Sequence, residues 1–346
     1  MSASTHNVVI AGGGTGGHLI PGLAVARALV ERGIDAGNIT FVGTARGIEA
    51  RMVPASGFAL RLIAIAGWKG TGLARRLRAA AQLPIAIGQC VRILRQTRAH
   101  VVFGIGGYAS GPALAAALVL RIPVVLLEVN ASAGLANRLA ARWARAAAVN
   151  FPETARQFKH ALVTGIPVRA EFFPRSGEGA LENDEPANAS VLVFGGSQGA
   201  RAINAAAGEL AERLPPGTAL RRQTGADDFI ADMAGAMRAA QVVVARAGAS
   251  TLGELAAAGK PSVLIPLPTA ADQHQLRNAE AYARAGAAVL LPQAELTPER
   301  LAKEVNALLG DRAQRQRMAA AVRNFAHRDA AAAIAGLILE NKKGTD

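Results

Sequence analysis

The sequence predicts an α/β protein built of two doubly wound, parallel-sheet domains, and three observations predict it. Short β-branched runs alternate with longer Ala-rich stretches, the pattern of strands buried on both faces and covered by helices. The rhythm stops in a polar, acidic stretch rich in Gly, Pro and Asn over residues 174–190, then restarts at 191. Each half opens alike, with a strand running into a glycine loop that starts a helix. Two such domains facing each other make a cleft, the expected place for a ligand.

In the first half, residues 7–11 read as a strand, 19–32 as a helix and 39–42 as a strand. Strands at 101–104 and 123–127 follow, with 109–120 helical between them, and the Val163-Thr164-Gly165-Ile166-Pro167 run breaks the pattern. In the second half, a strand at 191–194 ends in Gly195-Gly196-Ser197-Gln198-Gly199 and opens a helix from Ala200. Later strands fall at 242–245 and 262–266, and late helices at 301–309 and 312–326. The expected boundaries are an N-terminal domain over 1–168, a linker over 169–190 and a C-terminal domain over 191–325. A last helix within 326–346 is expected to pack back on the N-terminal domain.

Composition excludes several classes. A chain of 346 residues that is 51% hydrophobic and 18% charged has ample apolar surface for two cores and is not globally disordered. Its longest uncharged apolar stretch, 112–120, is far shorter than the roughly 18–20 residues of a spanning helix. The first residues lack a basic n-region, so no secretory signal is expected, and the single Cys90 excludes an internal disulfide framework and any Cys-based zinc site. The chain is expected in the cytosol or on a membrane's cytosolic side. Its net charge is +13, and ten basic residues with no acid lie between Glu49 and Glu128. Aromatics at 4% leave few platforms for stacking bases, so an anionic surface fits this stretch better than nucleic acid.

The loops carry the chemistry. Gly12, Gly14 and Gly17 spell G-x-G-x-x-G, but the second strand ends Phe41-Val42-Gly43-Thr44-Ala45-Arg46 without the acid a dinucleotide ribose needs. The glycines supply close backbone approach and unpaired N–H groups at a helix N-terminus, which suits a diphosphate. His18, in the first turn, reads either as a helix-terminal histidine or as a general base kept neutral by the positive helix end. His6, His100, His160 and His327 have no partner motifs. The 195–199 loop lacks the Lys of a phosphoryl-transfer loop. In Ala245-Arg246-Ala247-Gly248-Ala249-Ser250-Thr251-Leu252-Gly253-Glu254, Thr251 can meet a phosphate, while Glu254 reads as a capping-box acid or as an acceptor for two ribose hydroxyls. Asp272-Gln273-His274-Gln275-Leu276-Arg277-Asn278 suits sugar hydroxyls, and with no Asp-x-Asp pair the diphosphate would be met by helix N-termini and Arg169 rather than a metal.

In combination these motifs resemble the MurG family, the undecaprenyldiphospho-muramoylpentapeptide β-N-acetylglucosaminyltransferases of bacterial cell-wall synthesis. The likeness runs from Val8 to the last helices, through GGTGGHLIPGLAVA from Gly13, GIGGYASGP from Gly104, GIPVR from Gly165, GGSQGAR from Gly195, ARAGASTLGELAAAGKP from Ala245 and DQHQLRNA from Asp272. The resemblance implies a GT-B fold and an inverting transfer of GlcNAc from UDP-GlcNAc to the C4 hydroxyl of MurNAc on lipid I, giving lipid II, with no cofactor and no metal. It implies an acceptor and membrane-facing N-terminal domain and a UDP-GlcNAc-binding C-terminal one. Carried over by position, Thr15, Gly16 and Gly17 meet the substrates, with His18 as base and Glu128 as the second choice. Asn130 and Arg169 match donor contacts, Ser197 the diphosphate loop and Ile230 the uracil contact. Ala249, Ser250, Thr251, Leu252, Gly253 and Glu254 cover uridine, phosphate and ribose, and Gln275 reads the GlcNAc hydroxyls. Tyr108 and Asn204 match without a clear role.

The implied partners are UDP-GlcNAc, lipid I, an anionic membrane surface and other cell-wall synthesis and division proteins, with no nucleic acid. The implied location is peripheral, on the cytoplasmic face of the cell inner membrane. The stretch from Trp68 supports it, with Leu73 and Leu77 on one helical face, then Leu83, Ile85 and Ile87, beside Lys69, Arg75, Arg76 and Arg78. The chain departs from the family at 127–130, which reads Leu-Glu-Val-Asn, at Ile166-Pro167-Val168-Arg169, and between Gln223 and Met233, where a helix and a strand are missing. The remaining alternatives are a glycolipid glycosyltransferase, a UDP-GlcNAc 2-epimerase and a basic nucleic-acid-binding protein.

Overall fold

The continuous apolar runs of the sequence form the strands of two parallel sheets. The computed structural model describes residues 6–65, 73–174, 189–195, 200–225 and 228–342, with the backbone alone for 73–81 and 271. The chain divides into two compact units, residues 1–167 with 329–346, and residues 168–328.

Among the described residues the first unit has a seven-stranded sheet: β1 (Val8–Gly12), β2 (Ile39–Gly43), β3 (Ala59–Leu62), β4 (Val101–Gly106), β5 (Val124–Glu128), β6 (Ala146–Val149) and β7 (Ala161–Val163). Its order is β3-β2-β1-β4-β5-β6-β7, all parallel. β1, β2, β4, β5 and β6 are buried along their whole length, which is why they show no polar alternation. Each fully buried Leu or Val here, such as Leu126, contributes about 1.5–3 kcal/mol. The chain order reverses between β1 and β4, so their carboxyl ends form the unit's switch point. There the register shifts between Ala11 and Gly12, bringing Gly12 opposite Gly106.

Helices α1 (Gly16–Glu31), α2 (Glu49–Ala55), α3 (Leu73–Gln96), α4 (Ser110–Val119), α5 (Leu135–Ala140) and α6 (Pro152–Ala155) connect these strands. α1 begins at Gly16 rather than at 19, because the glycines themselves form its first turn. Pro21 lies inside it and cannot return an N–H to the Gly17 carbonyl.

The second unit carries, among the described residues, a five-stranded parallel sheet of β8 (Ser190–Phe194), β9 (Ala219–Gln223), β10 (Val242–Ala245), β11 (Ser262–Leu264) and β12 (Val289–Leu290). The order β12-β11-β10-β8-β9 puts its switch point between β8 and β10. Its helices are α7 (Arg201–Gly208), α8 (Leu210–Arg213), α9 (Met233–Ala239), α10 (Ala249–Ala258), α11 (His274–Arg284), α12 (Pro298–Gly310) and α13 (Arg312–Arg323). Side-chain caps start three of them: Asp232, Thr297 and Asp311 accept the N–H groups of Gly235, Arg300 and Gln314. α10 stops at Gly259, which takes the left-handed conformation at φ 64°. The last helix, α14 (Ala330–Glu340), packs on α1 and β6, within the first unit.

Candidate active site

At the first unit's switch point the β1–α1 turn lies hard against the β4–α4 turn. A Cβ on Gly12 would stand 2.4 Å from the Gly106 carbonyl oxygen, and one on Gly107 2.4 Å from that of Gly13. Only glycines allow this approach. Thr15 stands exposed at the N-cap of α1, and its side chain makes no cap bond. Gly16, Gly17 and His18 follow, each partly exposed, and the His18 ring lies over Gly106, whose Cβ would come within 2.9 Å of Nδ1.

A residue that the sequence reading passed over organises this turn. Glu49, at the start of α2, is fully buried. Its Oε2 accepts the Gly14 N–H at 2.8 Å, and its Oε1 accepts both the N–H and the hydroxyl of Thr44 at 2.9 Å. Of the N–H groups expected to be unpaired in this loop, that of Gly14 is instead taken by an internal carboxylate.

Glu128 ends β5 and is 2% exposed. Its Oε1 accepts the Asn130 N–H at 3.0 Å and the Asn130 Nδ2 at 3.2 Å; its Oε2 accepts the Gly134 N–H and the Asn137 Nδ2, both at 2.9 Å. Burial pushes this carboxyl above the usual carboxylate range against the pull of those four donors. The geometry makes Glu128 the anchor of the 130–134 loop. Asn130 is held further by Thr154, whose hydroxyl donates to its carbonyl at 3.1 Å.

In the second unit, α10 starts at the carboxyl end of β10 with Gly248 as its N-cap. Thr251 therefore lies inside the helix, and the capping-box reading of Thr251 and Glu254 does not hold. Helical periodicity divides the 249–254 run. Ala249, Leu252 and Gly253 are buried, while Ser250, Thr251 and Glu254 lie on the partly exposed face. Any ligand contact from Ala249, Leu252 or Gly253 is thus restricted to backbone. Arg169 pairs with Glu171 at 2.6 Å and lies 4.9 Å over the Phe172 ring. Burial pushes Glu254 up to about 7, with the Arg169 charge opposing the rise and Glu171 adding to it.

The strand-end segments are tied to the β10–α10 turn and to each other. Arg246 donates to the carbonyls of Ile265 and Pro266 at 3.0 and 3.1 Å and to Gln293 Oε1 at 2.7 Å. Asn278 Nδ2 donates to the Ala247 carbonyl at 3.2 Å. Gln275 Oε1 accepts the Leu267 N–H at 2.9 Å, which turns its amide NH2 into the group that can address a ligand. Asp272 and Gln273 both take left-handed backbone just before α11, at φ 50° and 53°. Ile230 is buried, with its N–H donated to Gln223 Oε1 at 3.1 Å. Ser197 lies outside the described residues.

Among the described residues no group of three His, Cys, Asp or Glu could hold a metal ion, and no helix is long and apolar enough to cross a membrane.

Two parallel-sheet units of Rossmann type, each with a helix N-terminus and polar side chains at its switch point, define a GT-B glycosyltransferase fold. The chain belongs to glycosyltransferase family 28: residues 8–149 match its N-terminal domain and 190–334 its C-terminal domain. It is 43% identical, over 96% of its length and 92% of the relative's, to the UDP-N-acetylglucosamine–N-acetylmuramyl-(pentapeptide) pyrophosphoryl-undecaprenol N-acetylglucosamine transferase of Anaeromyxobacter dehalogenans strain 2CP-1. To the protein of the same name from Syntrophotalea carbinolica it is 45% identical, over 92% of this chain and 94% of that one. Among solved structures it is similar to Acinetobacter baumannii MurG, with a TM-score of 0.81, 30% identity and coverage of 97% and 99%. The first alignment spans 360 positions, more than the chain's 346 residues, so that relative carries segments missing here.

Proposed function

We propose that the protein transfers N-acetylglucosamine from UDP-GlcNAc to the C4 hydroxyl of the MurNAc unit of undecaprenyl-diphospho-MurNAc-pentapeptide, with inversion, forming lipid II. The observation that carries this reading is the match to transferases of that name through both units. Glu254, Thr251 and Gln275 stand on the partly exposed faces of their helices, in support of it.

The chemistry divides between the units. In the second, Glu254 accepts the ribose hydroxyls, and Ser250, Thr251 and the first N–H groups of α10 meet the diphosphate. The Gln275 NH2 donates to a sugar hydroxyl, and Arg169 supplies positive charge. In the first, His18 takes the proton from the acceptor O4 as that oxygen forms its bond to C1 of GlcNAc. The C1–O bond to UDP breaks, and UDP leaves with the electron pair, its growing charge met by donors already in place. Glu128 holds Asn130 toward the substrates.

The protein works at the cytoplasmic face of the membrane as a peripheral enzyme. Its lipid-linked acceptor calls for such a location, and Ile85, 61% exposed on α3 beside the arginine-rich stretch, is an apolar side chain ready to insert. Transfer of labelled GlcNAc from UDP-GlcNAc to a lipid I analogue, with UDP-glucose as control, tests the reading. GlcNAc-selective transfer is expected. Release of free sugar without an acceptor product would overturn it in favour of an epimerase-type reaction.

A further inference from the structure

The Glu49 carboxylate is surrounded by backbone that leaves it just enough room. A Cβ on Gly13, Gly43 or Gly47 would stand 2.6, 2.5 or 2.0 Å from a Glu49 side-chain atom. Three glycines from two turns thus make the space, and three donors converge on the carboxylate. The Thr44 hydroxyl, whose single proton goes to Glu49, lies 3.2 Å from the Tyr108 hydroxyl. Tyr108 must therefore donate to Thr44. The Tyr108 ring in turn covers Gly14, whose Cβ would fall 3.0 Å from Cε1. The turns after β2, β1 and β4, three adjacent strands, are joined through one buried carboxylate.

A glycine turn at the N-terminus of a helix ordinarily draws its anion from a ligand. Here part of that role is filled from within. We propose that Glu49 is a positioning residue for the acceptor side of the reaction: an internal anion that fixes the Gly12–Thr15 turn and, through it, sets Thr15 and His18 against the acceptor hydroxyl. The inference rests on the reading of His18 as the acceptor's base. Glu49 touches no substrate. It acts by holding the turn, with Thr44 and Tyr108 carrying the constraint to the β4–α4 turn.

The test compares wild type, Glu49→Gln and Thr44→Val as full-length proteins, measuring kcat and KM for a lipid I analogue and for UDP-GlcNAc separately, with UDP titrated by calorimetry. Gln offers one acceptor oxygen where three donors converge, so its NH2 must face an N–H or the Thr44 hydroxyl. Loss of bonds to a charged group predicts a fall of about 10- to 100-fold in kcat/KM for the acceptor, with KM for UDP-GlcNAc and UDP affinity unchanged. Thr44→Val, which keeps the Thr44 N–H bond and removes the hydroxyl link, should show the same split at about 3- to 10-fold. A purely architectural role would lower the active fraction, scaling both activity and UDP stoichiometry while leaving each KM in place, and that result would overturn the inference. If Glu49→Gln does not fold, Thr44→Val decides alone: a shifted acceptor KM, or a shifted kcat per UDP-binding site, supports the inference, and unchanged values sink it. Wild type that fails to use the acceptor overturns the functional reading itself. Active wild type with an unaltered Glu49→Gln overturns the inference alone.

Discussion

Gln223 Oε1 accepts the N–H of Ile230 at 3.1 Å, so the side chain that ends β9 holds the backbone seven residues further along. Asn204 Nδ2 reinforces the same turn from α7, donating to the Thr224 carbonyl at 2.6 Å. The short connection between β9 and α9 thus has its own fastening. Gln223→Ala strands a buried N–H, at a cost of about 1–3 kcal/mol of stability. If the segment meets the uracil, UDP affinity should fall about tenfold by calorimetry, while Gln223→Glu, which keeps an acceptor oxygen, binds as wild type. Equal UDP affinity in both variants would remove this bond from nucleotide recognition.

With Glu254 as the proposed ribose acceptor, the donor site should have a pH dependence. A carboxyl near 7 accepts two ribose hydroxyls with both oxygens only after losing its proton, so UDP affinity should rise between pH 6 and 8, by up to about tenfold per pH unit below that value. The sign for the empty protein is opposite. Between about 4.5 and 7 the folded state holds this proton and the unfolded chain does not, so this group's contribution to stability falls as pH rises. Glu254→Gln should flatten the affinity profile, and a profile as steep as wild type's would assign the titration to another group.

His18→Ala should lower kcat by about 10²- to 10⁴-fold, the usual span for removing a general base, while leaving KM for UDP-GlcNAc in place. Steady-state kinetics with both substrates varied measure it. Near-wild-type turnover would take His18 out of the proton transfer.

Membrane attachment should follow the arginines of α3. Each basic side chain near an anionic leaflet contributes about 1 kcal/mol, so Arg75→Glu with Arg78→Glu should weaken co-sedimentation with anionic liposomes at least about 30-fold. Binding that ignores either the substitutions or the anionic lipid content would refute peripheral attachment by charge.

The sheet architecture was legible wherever strands were rich in Val and Ile, as in β1, β4, β5 and β10. β6 was not, because Ala-Ala-Ala-Val carries helix propensity and becomes a strand only through its place between β5 and β7. β3 and β9 escaped notice for a different reason: Ala-Leu-Arg-Leu and Ala-Leu-Arg-Arg-Gln each carry arginine on a sheet edge and bury little. In the candidate site, the His18 turn and the Glu254 helix were readable because glycine loops at strand ends have a local signature. Glu49 had none. A glutamate in a first helical turn reads as a favourable charge for the helix dipole, and only the tertiary approach of three glycines makes it a buried hub. The four bonds on Glu128 were equally invisible, since their donors are brought in by the path of the loop that follows.

The return of α14 to the first unit has a consequence for biosynthesis. A ribosome delivers the whole of residues 168–328 before it delivers the helix that covers α1 and β6. The later unit can therefore close its core while the earlier one still waits for its last piece. Until then the surface of α1 and β6 that α14 covers stays open to water and to chaperones. The half of the molecule that emerges first is the half that matures last.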